Sequence, residues 1–172
     1  MTRHVYPISA MVGDYVRAAA GFLPTAAVLA IAPLGPAATA IVAGFAALFA
    51  FFGLRTALRH MTPIETSATG VTAVGPLSAT VPWADLDRLK LAYYSTRRDR
   101  RDGWMQLELR AGASTIRFDS RIDGFNQLVE RAALAAAARG VELSAATAGN
   151  LEALGIGRPA YPDLAAMAGG QA

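Results

Sequence analysis

The chain has no cysteine, one lysine (Lys90), two histidines and, across one long stretch, no charge at all. The missing cysteines exclude disulfides, thiolate metal sites and cysteine nucleophiles. His4 and His60 are far apart in sequence. Neither has a second histidine at metal-ligand spacing, so no metal site is expected. Asp85 and Asp87 lie two apart in "PWADLD", which reads as a turn or single helical turn and not as an acid–base pair. There Asp85 is expected to bond local backbone amides. The glycines of "ATGVTAVG" lack the Gly-Lys-Ser/Thr ending of a phosphate-cradling loop. No catalytic residue and no cofactor are read from the chain, and an enzyme is not expected.

What is present is apolar and basic. Hydrophobic residues make up 53% of 172, much of it alanine, with a formal charge of +3. A basic balance can mark a nucleic-acid binder, so the location of the charge matters. Residues 1–60 hold Arg3, Arg17, Arg55 and Arg59 against Asp14 alone, which accounts for the whole excess. Residues 61–172 hold 12 basic and 12 acidic groups and are neutral. The argument for nucleic acid fails at that step. The Arg- and Ala-rich usage points to a GC-rich bacterial genome.

Between Arg17 and Arg55 no charged residue occurs over 37 positions. As one helix that run would measure about 55 Å, well beyond a hydrocarbon core of about 30 Å. "PLGP" (33–36) splits it, since Pro33 and Pro36 oppose continued helix and Gly35 permits a turn. Two transmembrane helices are expected, about 15–33 and 36–56. A cleaved signal peptide would end after the first run, whereas here a second follows, with basic residues at both ends. A pair of soluble core helices would show a polar face, and "AIVAGFAALFAFFGL" (40–54) has none. The arginines flank the hairpin and its turn is uncharged, so the positive-inside rule places both termini in the cytoplasm. Pro24 is expected to bend the first helix. Ala40 and Gly44 form a small-xxx-small pair for close helix approach. No ionisable group lies within the span, which argues against a transporter or channel.

After His60 the pattern changes to period two. "GVTAV" (70–74) and "LSATV" (77–81) flank the Gly75-Pro76 turn. In "LKLAYY" (89–94), Leu89, Leu91 and Tyr93 share a face. In "WMQLELR" (104–110), Met105, Leu107 and Leu109 point inward, as do Ile116 and Phe118 of "TIRF". Such alternation marks antiparallel strands with one wet face. At Asp119 the period changes again. Ser120 and Asp123 suggest a capping box, and Ile122, Phe125, Leu128, Val129, Ala132 and Ala136 form a helical stripe ending at Gly140. "TAGNLEALGI" (147–156) suggests a further short helix before a Gly/Pro/Ala-rich tail.

This order, with "VPWADLDRLKL" (81–91), "GWMQLELRAGASTIRF" (103–118) and "FNQLVERAAL" (125–134), resembles bacterial membrane-anchored proteins with a pleckstrin-homology-like domain. The resemblance covers roughly residues 63–140 plus the hairpin. It implies a partly open antiparallel β-barrel, or two orthogonal sheets, closed by one C-terminal helix, and no enzymatic activity. The expected organisation is an N-terminal segment and hairpin over 1–60, a PH-like domain over 61–140, and a short helix and tail over 141–172. Trp83 is expected to be structural, its indole sealing the barrel end. Tyr93, Tyr94 and Trp104 are expected to pack across strands.

The densest charge in the chain is "STRRDRRDG" (95–103), with Arg97, Arg98, Arg100 and Arg101 beside Asp99 and Asp102. It reads as a hairpin tip that is either a solvated turn or a contact for anionic lipid headgroups or a membrane protein. The expected protein is an integral, non-catalytic scaffold or interaction module at the cytoplasmic face of a bacterial inner membrane. The alternatives are an anionic-lipid-sensing domain or an accessory subunit of a membrane enzyme or transporter. The sequence does not fix an oligomeric state.

Overall fold

The structure is a computed structural model, and it describes residues 1–76, 78–95 and 103–156. The chain divides into two compact units. The first comprises Met1–Thr80 with Arg121–Gly124, and the second comprises Val81–Ser120 and the chain from Phe125 onward.

In the first unit a short strand β1 (Thr2–His4) precedes two long helices, α1 (Ile8–Ile31) and α2 (Pro36–His60). Strands β2 (Ile64–Thr66), β3 (Gly70–Ala73) and β4 (Ala79–Pro82) follow, in a sheet ordered β1-β2-β3-β4. The N-terminal segment is therefore part of a sheet. Thr2, Arg3 and His4 pair antiparallel with Thr66, Glu65 and Ile64. The helical hairpin thus leaves one strand and returns into its immediate neighbour. Three residues with one charge and no apolar alternation carry no strand signal of their own, so β1 is defined only by its partner.

Both helices are long and apolar enough to cross a membrane, and only 6% of each apolar window is buried. Leu23, Ile31, Ile41, Phe51 and Leu54 are exposed along them. Each helix is longer than the charge-free run suggests. α1 begins at Ile8, after Pro7, so Asp14 and Arg17 are helical, and α2 continues through Arg59 and His60. The break falls at residues 32–35, and Pro36 takes the first position of α2, where its missing N–H costs nothing. Next to Pro24, the Thr25 hydroxyl donates to the carbonyls of Gly21 (2.8 Å) and Phe22 (2.9 Å), which supports the turn around the proline.

The close approach of the helices does not involve Ala40 and Gly44. A Cβ on Gly44 would meet nothing within 4 Å. The small residue that matters is Gly21, where the Phe49 ring occupies the space a Cβ would need. One turn nearer the sheet, a Cβ on Gly53 would lie 3.3 Å from Ala18 Cβ. The spacing rule identified a small pair but not its orientation, and Gly44 faces away from α1.

The second unit begins with a 3-10 turn, Trp83–Asp85, followed by β5 (Arg88–Tyr94), β6 (Trp104–Ala111) and β7 (Ser114–Asp119) in an antiparallel sheet ordered β5-β6-β7. Leu89, Leu91, Leu107, Leu109, Ile116 and Phe118 are buried on its inner face, as the alternation requires. Tyr93, at the strand end, is 44% exposed, and its hydroxyl accepts from Gly103 N–H at 3.2 Å. Tyr94 stacks on Trp104 at 5.7 Å between centroids, and the two are cross-strand partners.

Helix α3 (Phe125–Ala138) buries Phe125, Leu128, Val129, Ala132 and Ala136. Phe125 meets Phe118 edge to face at 6.2 Å. The helix starts later than the Ser120/Asp123 spacing suggests. The Ser120 amide and hydroxyl are both used on Met105, at 2.8 and 3.1 Å, which extends the β6–β7 ladder. Gly124 then takes φ +70°, which breaks any helix running from residue 120. At the far end Gly140 (φ +65°) closes α3, with Val141 N–H donating to Ala136 O and Gly140 N–H to Ala137 O.

Helix α4 (Ala145–Ala153), capped by Ser144, lies along the outer edge of β5. There Asn150 Nδ2 donates to Leu91 O at 2.8 Å, and Leu91 N–H donates to Thr147 Oγ1 at 3.3 Å. Two side chains replace the missing neighbouring strand at that position, a standard way to protect a sheet edge. The layout is α+β: two apolar helices, two antiparallel sheets, and two C-terminal helices.

Candidate functional site at the base of the hairpin

The most polar constellation among the described residues lies where the hairpin meets its sheet. Asp14 projects from α1, one turn from Arg17. Its Oδ1 accepts from Arg17 Nη1 at 3.0 Å. Its Oδ2 lies 3.4 Å from Arg121 Nη1 and 3.8 Å from Arg59 Nη2. One carboxylate is therefore shared by three guanidinium groups from three parts of the chain. The Asp14 side chain is 17% exposed, whereas that of Arg17 is 73% exposed.

Arg59 is held from other directions too. Its guanidinium stacks over the Tyr6 ring, 4.8 Å from the centroid, and its Nη2 approaches Met11 Sδ at 3.3 Å. Met11 and Tyr6 are buried. Arg55 lies one turn earlier on the same face of α2 and is exposed. Counting Arg17, Arg55, Arg59 and Arg121 against Asp14 and Asp123, the base carries an excess of two positive charges.

Two histidine contacts complete the base. Tyr15 Oη and His60 Nδ1 are 3.2 Å apart, with the rings edge to face, so they tie the start of α1 to the end of α2. His4 is buried, and its Nδ1 lies 2.8 Å from Asp123 O. A carbonyl only accepts, so His4 Nδ1 carries the proton. The Asp123 amide donates in turn to Val5 O at 2.9 Å. Residues 121–124 are thereby fastened to β1 and α1. Both histidines act as structural partners here. No group of three or more His, Cys, Asp or Glu able to hold a metal occurs among the described residues.

Above Tyr15 an apolar groove of about 330 Å³ runs between α1 and α2, lined by Ala18, Ala19, Phe22, Phe49 and Gly53 among others. The Tyr15 hydroxyl is the one side-chain hydrogen-bonding group in that lining, and it is engaged with His60.

The residues singled out from sequence lie elsewhere. Arg97, Arg98, Arg100 and Arg101 fall outside the described residues. Trp83 is half-buried in the 3-10 turn, and Asp85 is exposed beside it. The carboxylate that meets a backbone amide in this region is Asp87. It accepts from Gly112 N–H at 2.8 Å and from Arg110 Nε at 2.9 Å. Those bonds, the Arg110 one foremost, hold the Asp87 carboxyl below its ordinary pKa. Asp87 also answers a problem in the sheet, where Arg88 and Arg110 are direct cross-strand partners of like charge. Two pairs along, Glu108 sits opposite Lys90 and 2.8 Å from Arg117 Nε, a carboxylate between two cations.

The sequence reading missed the Asp14 cluster. Its local half was present in the i, i+3 spacing of Asp14 and Arg17 and the i, i+4 spacing of Arg55 and Arg59. Arg121 joins from 107 positions away, and no sequence signal marks it. Comparison with known proteins yields no matching family model, no matching curated protein and no matching solved structure.

Proposed function

We propose that this chain is a membrane-anchored, non-catalytic scaffold or interaction module with a PH-like domain at the cytoplasmic face of a bacterial inner membrane. The carrying observation is that the apolar hairpin is inserted between adjacent strands, β1 and β2, of one sheet. Such an insertion fixes both helix ends at the sheet, so a hairpin that crosses the bilayer returns the chain to the side it left. The basic excess at that end favours the cytoplasmic side. Exposed apolar side chains along both helices support insertion, because water would leave a large apolar surface bare.

Among the described residues, seven strands divided four and three between antiparallel sheets, followed by a helix, support the PH-like reading. That count includes β1, which stands before the hairpin, and α4 after α3 is an addition to the plan. Tethering raises the concentration of the domain for partners at the same surface. The test is the full chain in bacterial membranes. It should resist alkaline carbonate extraction, a reporter fused after Ala172 should be active in the cytoplasm, and one inserted at Gly35 should be active on the far side. A chain released by carbonate, or a C-terminal reporter active outside, overturns the proposal.

A further inference from the structure

We infer that the arginine cluster at the hairpin base is a binding site for the phosphate of an anionic phospholipid, a reading that rests on membrane insertion of the hairpin. Arg17 and Arg55 bound the charge-free run from its two ends. Ala18 faces Gly53 across the helix pair, so these two arginines stand at nearly the same height. They also share a side. Arg17 is bonded to Asp14, Asp14 is approached by Arg59, and Arg55 lies one turn from Arg59 on the same face of α2.

Depth identifies the ligand. The charge-free part of α2, Pro36–Leu54, has 19 residues. At 1.5 Å per residue it spans about 28 Å, close to the hydrocarbon thickness. With the turn in the far headgroup layer, Arg55 and Arg17 reach the near one, where lipid phosphates lie. Guanidinium groups bind phosphate oxygens through paired N–H donors, and they do so better than ammonium groups. Asp14 holds three of the four cations together, and the base keeps a net positive charge to meet an incoming anion. Arg17 and Arg55 are the exposed members and supply the headgroup contact. The selective lipid site is thereby placed on the anchor and not on the 95–103 loop.

A phosphate oxyanion could come from lipid or from solution, and the experiment separates the two. The full chain is purified in neutral detergent, mixed with equal amounts of phosphatidylglycerol and phosphatidylcholine, and weighed intact by native mass spectrometry. The wild type should retain phosphatidylglycerol in clear preference. Arg17→Ala with Arg55→Ala should reduce that preference about tenfold or more, given what each basic residue contributes near an anionic surface. Helical content should be unchanged, since both side chains are exposed. Replacing Arg97, Arg98, Arg100 and Arg101 by alanine should leave the preference intact. Equal retention of the two lipids by the wild type overturns the site. So does a preference that survives the double variant, or one that millimolar inorganic phosphate abolishes. Carbonate extraction of the same proteins tests the anchor separately. An extractable wild type removes the membrane reading, whereas a membrane-retained chain without lipid preference removes only the site.

Discussion

Arg121 Nη1 lies 3.4 Å from Asp14 Oδ2, across 107 positions of chain. The contact joins the segment between β7 and α3 to the first helix of the hairpin. It is reinforced by Asp123, whose amide and carbonyl serve Val5 and His4. A four-residue stretch is thus held by an ion pair to the first helix of the hairpin and by two hydrogen bonds to residues before it. The base of the hairpin is a polar junction with its own internal order.

Asp14→Ala should destabilise the chain more than any single arginine replacement at the base. Removal of the carboxylate leaves three guanidinium groups facing one another in a partly shielded setting. Because those partners are 34–73% exposed, solvent screens much of the effect. The loss should be on the order of 1–2 kcal/mol, against roughly 0.5 kcal/mol for Arg17→Ala. Thermal unfolding of the full chain in detergent measures both, and equal losses would contradict the shared role of Asp14.

Gly21→Leu should loosen the hairpin, because the Phe49 ring fills the space beside Gly21. Overpacking of this kind costs about 1–3 kcal/mol. Gly44→Leu, with nothing within 4 Å of a Cβ, should be neutral within measurement. Disulfide trapping between cysteines placed at Ala18 and Gly53 reports the change. Trapping should slow in the Gly21 variant and remain unchanged in the Gly44 variant.

The contrast between those glycines shows what was legible in the sequence. Period-two alternation located β5, β6 and β7 within a residue or two, since burial on one face of a strand is a local property of Leu89, Leu91, Leu107 and Leu109. The stripe from Phe125 to Ala136 likewise located α3, and two prolines located the break in the hairpin. Pairing is not local. β1 exists because Ile64–Thr66 lies beside it, Asp14 is organised by Arg121, and Gly21 matters because Phe49 faces it. Each depends on which surfaces the fold brings together, and neither propensity nor spacing encodes that. The start of α3 was misread because Ser120, a good cap by type, has both polar groups engaged by Met105.

Stability of the chain should fall at acid pH partly through Asp87. Its carboxyl is held below the ordinary value by the Arg110 and Gly112 bonds. Proton binding is therefore weaker in the folded state than in the unfolded one. The contribution is fully present above the unfolded-state pKa of about 3.9 and is lost as pH falls through the folded-state value. Asp87→Asn should lower the denaturation midpoint at neutral pH, and the gap from wild type should close below about pH 4. A gap independent of pH would show that the two bonds do not depend on the charge.

Asn150 and Thr147 should control the edge of β5. Their side chains satisfy the outward carbonyl and amide of Leu91, a residue only 1% exposed. Asn150→Ala leaves that carbonyl without its donor, at a cost of about 1–3 kcal/mol. Thr147→Val keeps the shape but removes the acceptor for the Leu91 amide. Hydrogen exchange at that amide should speed up in Thr147→Val, while exchange at Leu107, in the central strand, should change only as far as global stability does. Residues of β5 bearing outward backbone groups would then be open to pairing with another chain. The Asn150 variant should accordingly associate at concentrations where the wild type does not, as sedimentation velocity would detect. Unchanged Leu91 exchange in Thr147→Val would mean that α4 covers the edge by packing alone.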